Sequence, residues 1–419
     1  MNMLKATSNY VSTFLSHSSA DHKLAKDVAE GLGHWGVLAW LDKNELLEMG
    51  SLSENLKQAV KQQTTLTIFL SKKSSQSEWC KDELRWALSE YPDDKRLLPI
   101  YLGDPLKLVE SHDLLRTRFL NPDGDRVDRL GFYYPQSPKN PDTNALVEKI
   151  ALSTYKHSIS SSWSDLVIFL DQRGTGPRRG QPDLPDNIAG LNAPILTFRP
   201  SLEPRHKTEL LTGKDWENML TNMTKALSSI PGNIRGIDTR KIRVLGNAQT
   251  GLMWAVGRQY DRTNNVELYG YGRSGEIISN KDQDRLKPLT GGKPDCAKLI
   301  SGETENLDMG QVEVALYVGT ENYLQDVKLM PNLSLFWIET DKISNSKQAM
   351  QLVADIIGAI KKLYQEHNVR ELSIFWGTAN HVALLTAANL TGQHAFPKIK
   401  YMERDHANRT YVHLPMPGD

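Results

Sequence analysis

Cysteine is nearly absent from this chain: two stand in 419 residues, Cys80 and Cys296, far apart and in no metal-ligand spacing. A disulfide framework and a zinc site are both disfavoured, and a reducing compartment is expected. An excess of one charge is missing as well. Lys plus Arg and Asp plus Glu number 50 each. That argues against long nucleic acid or an acidic membrane as partner and leaves room for a local basic pocket only. No apolar run approaches the roughly 18 residues of a membrane span. The opening stretch MNMLKATSNYVSTFLSH has no charged region leading into an apolar one, so it does not read as a secretory signal. No glycine-rich phosphate loop follows the first predicted strand and no acidic pair ends it, which disfavours dinucleotide-fold, P-loop and response-regulator readings. What remains is a soluble, mixed α/β chain, expected in the cytoplasm and long enough for two domains.

The first 158 residues alternate strands and helices. A strand at Tyr10–Ser16 runs into the polar cluster Ser16-His17-Ser18-Ser19. Leu24, Val28 and Leu32 mark a helix closed by Gly33, and Val37–Leu41 is a second strand followed by an acidic loop, Asp42–Gly50. Leu52, Leu56, Ala59 and Val60 set the next helix. TLTIFL at Thr65–Leu70 and RLLPIYL at Arg96–Leu102 are apolar enough for buried parallel strands, and Asn144–His157 closes the unit as a helix. This alternation predicts a doubly wound parallel sheet. Ligands on such sheets bind beyond the carboxyl ends of the strands, which places Phe14, Ser16 and the Asp42–Gly50 loop near a site.

The chemistry centres on Ser75–Leu88, SQSEWCKDELRWAL. Ser75 followed by Glu78 reads as a capping box, and Cys80, Leu84, Ala87 and Leu88 form one apolar stripe. Glu83 lies beside that stripe, about one turn from both Trp79 and Trp86. A carboxylate between two indoles is partly desolvated, which favours its protonated form. The plain alternative is a solvated surface glutamate. Three segments weigh against it: FLSHSSAD, WLDKNELLEMG and SEWCKDEL. In order and spacing they resemble the three sequence boxes of TIR domains, over about the first third of the chain. The resemblance implies a flavodoxin-like fold and, through the W-C-x-x-E-L box, cleavage of NAD with Glu83 as the catalytic carboxylate. It implies substrate contacts from Phe14, Ser16, Trp40, Asp42, Leu46 and Trp79, although Trp40 also reads as an ordinary core residue. In such domains the loop matching Asp42–Gly50 often completes a neighbouring subunit's site. NAD is then the substrate, and no metal or resident cofactor is expected.

Asn121–Thr143 is rich in Pro, Asp and Asn, and Ser158–Ser164 (SISSSWS) is a short joint, so the domains are expected at 1–158 and 165–419. Beyond the joint the order of elements repeats at an offset of roughly 130 residues, which reads as two related α/β halves rather than a short-period solenoid. Strands near 166, 194, 241 and 266 have counterparts near 312, 333, 371 and 398. VLGNAQTG and FWGTANHV both read as strand, glycine, helix start. Such a turn lets backbone approach a ligand and turns a helix N-terminus toward phosphate. Candidate ligand contacts are Gly246, Asn247, Ala248, Gly377, Thr378, Ala379 and His381. Arg273 and Arg404 join them as nearby cations, with Arg173, Arg178 and Arg179 in the loop DQRGTGPRRG. This half resembles the SAVED domain, a pseudo-duplicated CARF-like Rossmannoid unit that senses cyclic oligonucleotides in CBASS anti-phage systems.

Together the resemblances imply a TIR–SAVED effector. Cyclic tri-adenylate or a similar cyclic oligonucleotide would activate it, by driving head-to-tail self-association into a filament whose composite sites cleave NAD. A non-enzymatic TIR scaffold that recruits partners is the competing reading. An enzyme acting on another N-glycoside, such as a nucleoside deoxyribosyltransferase, is a third.

Overall fold

A computed structural model describes residues 9–41, 57, 59–90, 96–124, 126–127, 131–134, 142–159, 165–172, 184–201, 209–233, 240–260, 266–272, 277–280, 297–301, 314–330, 334–340, 343–390 and 397–416. Asp42, Leu46, Leu52, Leu56, Arg173, Arg178, Arg179, Arg273 and Cys296 lie outside these residues. The chain divides into two compact units. One comprises 1–163, 176–203 and 229–236, and the other 164–175, 204–228 and 237–419.

The first unit runs β1 (Ser12–Ser16), α1 (His22–His34), β2 (Leu38–Leu41), β3 (Thr65–Leu70), α2 (Glu78–Glu90), β4 (Leu97–Tyr101), α3 (Pro105–Glu110), α4 (Asp113–Phe119), β5 (Phe132–Tyr133) and α5 (Thr143–Ser158). Its five strands are ordered β2-β1-β3-β4-β5, and every neighbouring pair is parallel. That is the flavodoxin-like order expected of the sequence. All six residues of β3 and all five of β4 are buried, as their predominantly apolar, uncharged runs suggest. Two local expectations are corrected. The helix α1 does not close at Gly33 but runs to His34, and the chain turns at Gly36, whose φ of 71° suits glycine. Gly33 sits inside the helix, where a Cβ would lie 2.7 Å from the Arg199 carbonyl oxygen. Nor does Ser75 cap α2. Its hydroxyl donates to the Lys72 carbonyl, and Ser77 accepts from the Cys80 N–H at 3.3 Å instead.

The chain continues with β6 (Asp165–Asp171), α6 (Asp186–Ala189) and β7 (Ile195–Phe198). Residues 184–201 belong to the first unit. Val11 donates to the Ile195 carbonyl at 2.9 Å and Ile195 to that of Asn9 at 2.8 Å. Thr197 donates to the Gly36 carbonyl at 2.9 Å, Arg199 to that of Gly33 at 2.9 Å, and the Asn9 amide to that of Leu191 at 2.7 Å. This stretch is therefore an arm hydrogen-bonded to the residues that lead into β1 and to the end of α1.

The second unit holds β6, all but the last five residues of α7 (Gly213–Asn233), β8 (Arg240–Asn247), α8 (Thr250–Gln259), β9 (Val266–Tyr271), β10 (Ile277–Ser279), β11 (Ala297–Ser301) and β12 (Val314–Gly319). It is completed by α9 (Glu321–Lys328), β13 (Ser334–Thr340), α10 (Ser346–Glu366), β14 (Glu371–Gly377), α11 (Asn380–Asn389), β15 (Lys398–Asp405) and β16 (Thr410–Leu414). The duplication is visible in the pairing. The strand β6 is parallel to β8, and β8 to β9, with β10 antiparallel on β9. In the same way β12 is parallel to β14, and β14 to β15, with β16 antiparallel on β15. The antiparallel strands β10, β11 and β16 were not evident in the sequence.

The two halves meet through α8 and α11. A Cβ on Gly257 would stand 2.1 Å from the Leu384 carbonyl oxygen, so only glycine permits this approach. Both helices are almost wholly buried, from Gly251 to Gly257 and from His381 to Asn389. Among the described residues no helix is long and apolar enough to cross a membrane, and no group of three or more His, Cys, Asp or Glu is placed to hold a metal. Gly257→Ala is expected to destabilise the chain by about 3 kcal/mol, the upper range for overpacking where backbone blocks the new methyl. A urea titration of the two proteins side by side reads this as a lowered midpoint.

Candidate functional site

The first candidate lies at the carboxyl ends of β1 to β4, where the doubly wound fold opens for ligands. Phe14 and Trp40 are opposite one another in the β1–β2 pair, with ring centroids 6.4 Å apart and planes 21° from parallel. Phe14 belongs to a buried cluster with Leu84, Ala87 and Leu88 of α2, and Trp40, Trp79 and Trp86 pack half-buried against it. The structure thus gathers Phe14, Trp40 and Trp79 around the helix that carries Glu83. The carboxylate is more deeply placed than the sequence suggested: Glu83 has 0% exposure, not the partial desolvation expected of a helix edge. Ser16, the last residue of β1, is also fully buried, and its hydroxyl has no hydrogen-bond partner among the described residues. A buried hydroxyl with no protein partner is uncommon and costs stability unless something else satisfies it.

Three polar residues of this edge escaped sequence reasoning. The Asp21 carboxylate accepts from Ser18 Oγ at 2.5 Å and from Ser71 Oγ at 2.7 Å, tying the loop after β1 to the loop after β3. The Ser18–Asp21 spacing was a readable cue, whereas a partner fifty residues on was not. His112, ahead of α4, is 1% exposed, and neither ring nitrogen has a partner among the described residues.

The second candidate is a cavity of about 450 Å³ within the second unit. Gly246, Ala248, Gly377, Thr378, Ala379, His381 and Arg404 all line it, so seven of the nine residues singled out from the sequence converge. Asn247 pairs with Asp171 in the β6–β8 ladder and is not part of the lining, and Arg273 lies outside the described residues. The glycines serve the fold first. Gly246 has φ of 142°, and a Cβ there would meet the Leu170 carbonyl oxygen at 2.2 Å; one on Gly377 would meet Tyr317 Oη at 2.6 Å. Arg404 is not a lone cation. Its guanidinium donates to Asp326 at 2.7 and 3.0 Å, stacks 4.2 Å from the Tyr323 ring centre and meets His406 Nδ1. The wall also contains residues the sequence did not suggest. The Gln172 amide donates to Gln249 Oε1 at 2.7 Å, and the Leu211 N–H donates to the same oxygen at 2.6 Å. Asn380 accepts from Thr250 Oγ1 at 2.8 Å and donates to the Ala248 carbonyl at 3.0 Å, joining the starts of α8 and α11. Glu403 Oε2 accepts from the Gly251 N–H at 2.8 Å.

Residues 13–130 match the TIR domain family, so the first unit carries a TIR domain. No curated protein matches the chain by sequence. Among solved structures, the chain is similar to the Acinetobacter baumannii Cap4 SAVED/CARF-domain containing receptor with the cyclic trinucleotide 2′3′3′-cAAA. Identity is 12% and TM-score 0.43, over 95% of this chain and 97% of that one. The same receptor with 3′3′3′-cAAA gives 12% and 0.42, over 94% and 97%. The Moraxella osloensis Cap4 receptor gives 12% and 0.42, over 94% and 97%.

His112 supplies a pH test of the TIR unit. Burial, and after it the positive charge of Lys81, holds its imidazole below the ordinary value, while Asp113 pulls weakly the other way. The unfolded chain takes up this proton near pH 6.5 and the folded chain only at lower pH. Between those points the unfolded state binds more protons, so stability falls as pH falls through the window and is unaffected above it. The melting temperature is expected to drop between about pH 7.5 and about pH 5.5, and His112→Gln is expected to flatten that part of the profile.

Proposed function

We propose that the chain is a cyclic-oligonucleotide-activated enzyme that cleaves the bond between nicotinamide and ribose in NAD. The observation that carries the reading is Glu83, a fully buried carboxylate about one turn from Trp79 and Trp86 on a TIR-domain helix that packs in the same cluster as the stacked Phe14 and Trp40. Nicotinamide is a cationic leaving group in NAD and departs neutral without a general acid. What the reaction needs is a negative group beside the oxocarbenium-like ribose that forms as the C1′–N bond breaks. Glu83 suits that role and the ribose hydroxyls are its natural donors. The aromatic surfaces suit the ring, and the unpartnered Ser16 hydroxyl gains a partner from bound substrate. Water adding at C1′ completes the step, giving ADP-ribose, nicotinamide and one proton; attack by the adenine ring of the same molecule would give a cyclic product instead.

Glu83 has no exposure in the single chain, so substrate reaches it only after a rearrangement. We assign that rearrangement to self-association, with the Asp42–Gly50 loop of one subunit completing the site of the next. A head-to-tail contact of this kind builds an open filament unless its rotation closes a ring. The activator belongs in the second-unit cavity, whose size and polar wall suit a compact ligand with several phosphates. The cyclic trinucleotides of the A. baumannii receptor are of that class.

Nicotinamide release from NAD, measured with and without cyclic tri-adenylate over a range of protein concentrations, tests this reading. Release is expected to require ligand and to rise more steeply than linearly with protein. Glu83→Gln is expected to lower it by at least about 100-fold, the scale of losing one transition-state electrostatic contact. Ligand-driven assembly with NAD left intact would install the scaffold reading in its place.

A further inference from the structure

The two halves of the second unit present equivalent helix starts to one cavity, but those starts are chemically different. At α8 the first turn already holds an anion, because Glu403 Oε2 accepts from the Gly251 N–H at 2.8 Å. A carboxylate there takes the place that a phosphate would otherwise occupy at a positive helix end. Glu403 is 7% exposed, and its charge acts through a medium of low polarisability, so a second anion beside it is repelled more strongly than in water. At α11 the N-cap is Ala379, which has no side-chain acceptor to offer. Trp376 and Thr340 line the cavity on the strands of that same half, and each carries a buried donor just behind the surface. Trp376 Nε1, on β14, and Thr340 Oγ1, at the end of β13, belong to residues 4% exposed, and neither atom has a partner among the described residues. An indole N–H can only donate. Left unsatisfied in a protein interior, each such group costs stability, and an acceptor that reaches it recovers that cost.

We propose that the cavity is divided, with activator phosphate seated at the α11 start against Trp376 Nε1 and Thr340 Oγ1, while Glu403 reserves the α8 start against phosphate. Glu403 is then a specificity-determining residue: it limits how many phosphates the ring presents to the wall, and so which ring sizes fit. The inference rests on the reading that the cavity takes a cyclic oligonucleotide.

Calorimetric titration of the full chain with cyclic tri-adenylate and with cyclic tetra-adenylate tests it, using the parent and the Trp376→Phe, Thr340→Val and Glu403→Gln variants. Trp376→Phe and Thr340→Val are expected to weaken the smaller ring by about tenfold each, the loss of one donor to a charged acceptor. Glu403→Gln keeps an oxygen for the Gly251 N–H and removes the charge. It is expected to tighten the larger ring relative to the smaller by about tenfold. A thermal melt of each ligand-free variant confirms that the chain is folded. Should Glu403→Gln weaken both rings alike, Glu403 contacts the ligand directly and the proposal fails. Unchanged affinities in Trp376→Phe and Thr340→Val would likewise remove phosphate from that wall. Those failures leave the sensor reading intact. A parent that binds neither ring defeats the sensor reading, and this inference with it.

Discussion

The close approach of α8 to α11 is the constraint on which the second unit depends. Gly257 has no side chain, so its backbone can lie against the Leu384 carbonyl where a methyl would stand 2.1 Å away. Because the helices touch along their length, the turns that precede them, after β8 and after β14, open into the same space. The hydrogen bonds of Asn380 to Thr250 and to the Ala248 carbonyl are possible only at that separation. Widen it, and the cavity becomes two shallow surface notches, each with one helix end and neither able to surround a ligand. The polar wall is therefore a consequence of apolar packing below it.

The TIR unit solves a different problem. Its catalytic candidate is a carboxylate with no exposure, and burying a charge is costly unless compensated. Around it the unit places aromatic surface, and at the edge of the sheet it places short polar ties. Asp21 binds Ser18 and Ser71 together and so fixes the loops after β1 and β3 relative to each other. Fixed loops leave less of the edge to be ordered when a ligand arrives, which is the value of preorganisation. Ser16, buried at the strand end with its hydroxyl unpartnered, points the same way.

Much of this was legible in the residues. Runs without charge gave β3 and β4 to within a residue or two, because a fully buried strand carries apolar residues and only such polar ones as find a partner, as Thr65 and Thr67 do. The spacing of Trp79, Glu83 and Trp86 placed the glutamate on the aromatic face of its helix, since helical periodicity is local information. Its complete burial was not local, because it depends on how the rest of the unit packs over that face. The helix ends failed for the same reason. Ser75 and Gly33 had the right residue types, yet Ser77 and Gly36 took the roles, and serine or glycine signals two or three residues apart cannot be ranked without the backbone. In the second unit, a repeat of strand, glycine and helix found six cavity residues, and Arg404 was found as a nearby cation. Gln172 and Thr340 stayed hidden because they come from strand ends distant in sequence, whereas Trp376 and Glu403 stand beside residues that were named and differ from them in side-chain direction along the strand.

The proposed function carries a free-energy requirement: the shelter around Glu83 has to be undone when the activator binds. Taking such an equilibrium from almost all closed to almost all open needs about 5.5 kcal/mol of preference for the open form. A ligand supplies that only through contacts it makes in one state and not in the other. Donors left unpartnered in the resting cavity, such as Trp376 Nε1 and Thr340 Oγ1, are a reserve of this kind, because their cost is carried until an acceptor arrives.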